Sequence, residues 1–166
     1  MKLVTFRASV EASARLGVVK SDQVIDVGLL GAAFGEEFPT SMLDLIDLGP
    51  AGLAAVEDAL VEADGRWPIG SALPIENVTL LAPIPRPRKN IFGIGLNYVE
   101  HVAESSKSLD TSKDLPTQPV IFSKPPTTVI GPGAAIEHNK ALTQQLDWEV
   151  ELAVIIGRTA RKVGED

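Results

Sequence analysis

The chain has 166 residues, 45% of them hydrophobic, no cysteine and a formal net charge of −7. That length suits one full domain or two small ones. The charge excludes the basic footprint of a nucleic-acid binder, and the lack of cysteine excludes a disulfide framework or a thiolate site. Apolar runs stay far below the roughly 20 residues of a membrane span. Met1–Arg7 carries no apolar leader core. The expectation is a soluble, cytoplasmic protein that binds neither nucleic acid nor membrane.

Residues 2–8 and 15–27 read as short strands. Arg15–Val19 and Gln23–Val27 flank the polar turn Lys20-Ser21-Asp22, which predicts a hairpin. Ser41 and Asp44 have capping-box spacing and open a helix that Gly49 ends. Pro50 fits the first turn of a second helix. Leu53, Val56, Leu60 and Ala63 recur there at helical spacing, and Gly65 closes it. Ile75–Leu81 is a further strand candidate. Nothing in residues 1–75 points to chemistry, so this part reads as a small accessory domain. Proline at every second position in Pro83–Pro87 forces an extended path and removes ladder donors, so the domain boundary is placed near 82–88.

Asn90–Asn97 is a strand that runs into Gly93 and Gly95. The third glycine of a dinucleotide fingerprint is replaced by Tyr98, so that reading is rejected. The glycines mark either a tight turn or a close approach of something to the backbone. Asn97 and Glu100 suggest a capping box for a helix over 98–105. On that helix His101 and Glu104 stand three residues apart, and so share a face. A carboxylate beside an imidazole fixes its tautomer and raises its basicity, as a general base requires. An exposed polar pair has the same spacing. Residues 105–118 are polar and patternless, and read as a long loop that could cover a site. Pro119–Phe122 and Thr127–Ile130 read as strands, with Gly131-Pro132-Gly133 as a turn. Lys124, at a strand end before two prolines, is placed to meet an anionic substrate or is plain surface. His138 and Glu137 receive no role.

Asp147–Gly157 is the most distinctive stretch. Val150 and Leu152–Ile156 predict a buried strand, and Glu149 and Glu151 at its start point to one face. Two carboxylates about 5 Å apart repel by roughly 3 kcal/mol at an effective dielectric near 20, which a cation would offset. Oxygen donors without cysteine favour a hard ion, Mg2+ or Mn2+, with Ca2+ also fitting. The alternative is that both acids simply face water.

The ordered set Gly95-Leu96-Asn97-Tyr98-x-x-His101-x-x-Glu104, Phe122-x-Lys124-Pro125, Ile130–Gly133 and Asp147-x-Glu149-x-Glu151 followed by Leu152–Gly157 resembles the fumarylacetoacetate hydrolase family over about residues 88–163. The resemblance implies a mostly β fold with some α. A small N-terminal α+β domain over 1–82 would precede the first part of a mixed β-sandwich roll over 83–166, usually as a homodimer. It implies a divalent metal held by Glu149, Glu151 and an aspartate beyond residue 166, for which Asp147 is a substitute candidate by parity. It implies a His101–Glu104 dyad that activates water or moves protons, a loop that closes over substrate, and substrate contacts at Lys124 and Tyr98. The implied reaction is metal-dependent cleavage of a carbon–carbon bond in an acylpyruvate-like diketo acid. Isomerisation or decarboxylation of a 2-oxo or 2-hydroxymuconate-type acid in aromatic catabolism is the alternative within the family. A non-catalytic binding module is the alternative of another class. The family's catalytic domain runs on past this point, so the expectation is that the chain stops partway through it, with a partner chain or an inactive member as the other readings.

Overall fold

The computed structural model describes residues 1–108 and 116–164, and for 104–108 the backbone alone. It comprises two compact units, residues 1–85 with 130–166, and residues 86–129.

The first unit is built on β1 (Lys2–Arg7), β2 (Arg15–Lys20), β3 (Gln23–Asp26), β4 (Ala72–Pro74) and β5 (Thr79–Leu80). They form an antiparallel sheet in the order β4-β3-β2-β1-β5. The β2–β3 hairpin forms as the sequence suggests, with Ser21 at φ 52° in its turn. Alternation puts Leu16 and Val18 on one face, with Ile25 opposite Val18. These three pack with Val27 and Leu30 against Met42, Leu45, Val56, Leu60 and Ala63, and this is the main core.

Val27 does not extend β3. It opens α1 (Val27–Ala33), which the sequence reading missed. Asp26 is the reason. Its Oδ1 accepts from the Leu29 amide at 3.0 Å and so caps the helix. The same carboxylate is buried and takes both Arg15 nitrogens, Nη2 at 3.0 Å and Nε at 2.7 Å, in a forked pair. An Asp whose amide bonds Ser71 O at 2.7 Å while its side chain caps the next turn ends the strand at that point.

α2 (Met42–Ala63) joins both expected helices across a kink. Ser41 Oγ accepts from the Asp44 amide at 3.2 Å and donates to Asp44 Oδ2 at 2.6 Å. Gly49, at φ 62° and ψ −148°, breaks the helical path, and Pro50 restarts it. Val56, Leu60 and Ala63 are buried as expected, whereas Leu53 is exposed. Asp64 takes the left-handed cap position just before Gly65. The expected strand Ile75–Leu81 is instead a 3-10 turn over Ile75–Asn77 followed by the short β5. Thr5 Oγ1 donates to Pro83 O at 2.6 Å and ties the start of the proline run to the sheet.

The second unit contains β6 (Ile91–Gly95), α3 (Val99–Ser108) and β7 (Val120–Lys124). β6 and β7 pair antiparallel. The expected strand Thr127–Ile130 is not formed. Pro126–Thr128 makes a 3-10 turn, because Pro126 fits its first position and Thr128 Oγ1 bonds back to Pro125 O at 2.8 Å. Among the described residues no helix is long and apolar enough to cross a membrane.

Candidate functional site

The antiparallel β6–β7 pair, called the hairpin below although α3 lies in its connection, explains its two glycines. The register sets Gly93 opposite Phe122, Ile91 opposite Lys124 and Gly95 opposite Val120, so these six share one face. The Phe122 ring lies across Gly93, in the space a Cβ there would fill, and reaches within 3.9 Å of the Cβ position of Gly95. The close approach anticipated at these glycines is therefore made by an aromatic ring of the neighbouring strand. Lys124 stands two residues beyond Phe122, and its Nζ lies over the ring, 5.4 Å from the centroid.

β6 leads through Leu96, at φ 54°, into α3. The first helical bond runs from the Val102 amide to Tyr98 O at 3.0 Å. Tyr98 therefore occupies the cap position and the helix starts at Val99, one residue later than expected with Asn97 as cap. The helix also runs to Ser108 instead of ending near 105, which shortens the expected loop at its start. Val102 is buried and anchors the first turn. His101, its neighbour, is half-buried, and Tyr98 is exposed. Glu104 follows one turn after His101 on α3, but its side chain lies outside the described residues, as does the part of the expected lid over 109–115.

Tyr98 and His101 thus follow the Gly95 end of the hairpin, while the Lys124 backbone stands at the Ile91 end. Four residue steps separate those ends, about 13 Å along the strand. The Lys124 side chain leans back along β7 toward Phe122, which recovers part of that distance for its ammonium.

In the first unit, residues 147–157 form no strand, contrary to the sequence expectation. Glu149 and Glu151 are exposed, and so are Asp147, Trp148, Val150, Leu152 and Val154–Ile156. The physical reason is that a strand is completed by a neighbour, and no described strand pairs with this stretch. Two carboxylate donors suit a hard divalent ion chemically. Among the described residues, however, no group of three or more metal-ligating side chains converges.

The sequence reading singled out Lys124 but missed Phe122 as its neighbour in space. The signal was present: a Gly-x-Gly strand offers a bare strip, and a large aromatic on the next strand can lie on it.

The fold agrees with a known architecture. The chain superposes on the crystal structure of a protein assigned as HpcE from Mycobacterium smegmatis with a TM-score of 0.54 and 26% identity, over 84% of this chain and 41% of that one. It is a partial fumarylacetoacetate hydrolase-like fold. Residues 90–166 match the model of the fumarylacetoacetate (FAA) hydrolase C-terminal family. The chain is 33% identical over 168 aligned positions to the mitochondrial oxaloacetate tautomerase fahd2 of Xenopus laevis, covering 100% of this chain and 47% of that protein. It is 40% identical over 92 positions to the oxaloacetate tautomerase YisK of Bacillus subtilis, covering 55% of this chain and 29% of that protein. The chain spans about half the length, or less, of the curated relatives it matches.

Proposed function

We infer that the protein is a divalent-metal-dependent enzyme acting on a small 2-oxo acid, and that its reaction is proton transfer next to the keto group. The observation that carries this reading is the two curated relatives. Both bear the name oxaloacetate tautomerase, and one is matched along the whole of this chain. The reading explains why an imidazole is set on the first turn of α3 beside a buried Val102.

His101 is assigned the base. It takes a proton from the carbon next to the keto group, the electron pair moves onto the keto oxygen, and the proton is delivered to that oxygen to give the enol. The reverse sequence gives the keto form, and no oxidant or second substrate is needed. Glu104, one turn on, is assigned to orient the imidazole. Lys124 is assigned to an anionic oxygen of the substrate, and Tyr98 to the substrate's flank. Glu149 and Glu151 are assigned as two ligands of an Mg2+ or Mn2+ ion, which when bound supplies Lewis-acid stabilisation of negative charge on oxygen.

Hydrolysis of a carbon–carbon bond in a diketo acid is the second reading, favoured by the name of the matching family. There the same base would activate water for attack on a second carbonyl. The two readings part on product. Enol oxaloacetate would lose its ultraviolet absorbance without releasing a fragment, whereas an acylpyruvate would release pyruvate.

His101→Ala should lower the catalysed rate by about 100- to 10,000-fold, the usual contribution of a general base. Metal affinity should be little changed. Parental turnover in that variant would remove His101 from the mechanism. Glu149→Gln should lose metal binding and turnover together.

A further inference from the structure

Lys124 is assigned above to an anionic oxygen, yet its backbone stands at the hairpin end remote from α3. A free lysine side chain samples many rotamers, and ordering it opposes binding through lost entropy. The hairpin contains a device that restricts it. Gly93 and Gly95 lay a strip without side chains along β6, and the Phe122 ring rests on that strip. Any Cβ at position 93 would occupy the place of the ring. Phe122 and Lys124 point to the same face of β7 because they are two residues apart. The Lys124 Nζ sits over the seated ring at 5.4 Å from its centroid. The three residues form a chain of consequence: glycine seats the ring, the ring attracts the ammonium, and the ammonium turns back along the strand toward the end where α3 begins.

We propose that Phe122 is a positioning residue for Lys124, its ring seated over Gly93 holding the ammonium where it meets an anionic oxygen of the substrate. The proposal rests on the reading of Lys124 as a substrate contact. It adds a residue that itself touches no substrate and acts only through the lysine.

The test uses the full chain and two readouts. The first needs no metal or ligand. In the parental protein, the Lys124 ε-methylene protons should resonate upfield of the other lysines, shifted by the ring beneath them. Phe122→Tyr should retain that shift, and Phe122→Leu should lose it. An unshifted Lys124 in the parental protein overturns the proposal. The second readout is oxalate binding in the presence of Mg2+ by calorimetry. Phe122→Leu should weaken oxalate about two- to fivefold, the worth of a partly exposed cation–π contact, and Phe122→Tyr should restore it. In a Lys124→Met background, Phe122→Leu should change nothing further. An equal loss in that background means that Phe122 acts by itself, which overturns the proposal. Parental oxalate affinity in Lys124→Met, with the upfield shift present in the parent, overturns the substrate contact and leaves the lysine held for another purpose. That outcome separates failure of the functional reading from failure of the positioning geometry.

Discussion

Gly93 shows how much one missing methyl group can decide. Its neighbour across the hairpin is a phenylalanine whose ring occupies the very volume a side chain would need. Gly93→Ala should therefore push the Phe122 ring aside, at a cost of about 1 kcal/mol or less, because the ring ends an exposed side chain that can turn away. It should move the Lys124 ε-methylene resonance, because the ring must shift. An unmoved resonance in that variant would show that the ring does not rest over Gly93. Asp26 makes a similar point in the first unit. One buried carboxylate caps α1 and pairs with Arg15, so two elements are fixed by one side chain. The cap was legible in principle, since Asp is a favoured cap residue. The pairing was not, because it crosses between strands.

Two elements defined by local chemistry were read correctly. The β2–β3 hairpin and the Ser41 cap rest on residues adjacent in sequence, and both formed. Gly49 belongs to the same class. It holds a backbone conformation that is essentially reserved for glycine, and no side chain would crowd it. Gly49→Ala should cost about 1–3 kcal/mol through backbone strain alone, measured as a lowered thermal midpoint with no change in the helix content of the folded protein. A neutral result would mean that the kink is not imposed by this residue. Elements that failed did so for identifiable reasons. Thr127–Ile130 has strand-like composition, but a proline and a threonine hydroxyl close a local turn first. The start of α3 was misplaced by one residue because Asn97 and Tyr98 compete for the cap, and the turn at Leu96 settles it for Tyr98.

For the molecule as a whole, the acidic stretch is the main divergence. Trp148, Val150, Leu152, Val154 and Ile156 are all exposed. Trp67, in contrast, is half-buried against the core of the first unit. Acrylamide should therefore quench fluorescence in two components, with Trp148 readily accessible and Trp67 shielded. Trp148→Phe should remove the accessible component alone. A single shielded component in the parental protein would mean that residues 147–157 are packed in solution. An apolar run of this kind exposed to water is also a surface for association, so the measurement should be made over a range of protein concentrations.

The sequence by itself determined the β2–β3 hairpin, the Ser41 cap, the break at Gly49 and the order of motifs that resembles the fumarylacetoacetate hydrolase family. These depend on backbone preferences and on bonds between near neighbours, which a linear reading contains. Only the tertiary structure decided what fills the space over Gly93, which way Lys124 leans, and that Asp26 ends a strand and starts a helix. Each of these depends on a partner from another strand. The acidic stretch lies at the boundary between the two. Its apolar pattern is plain in the sequence, but a strand is an agreement between two backbones, and no pattern within one segment can supply the second.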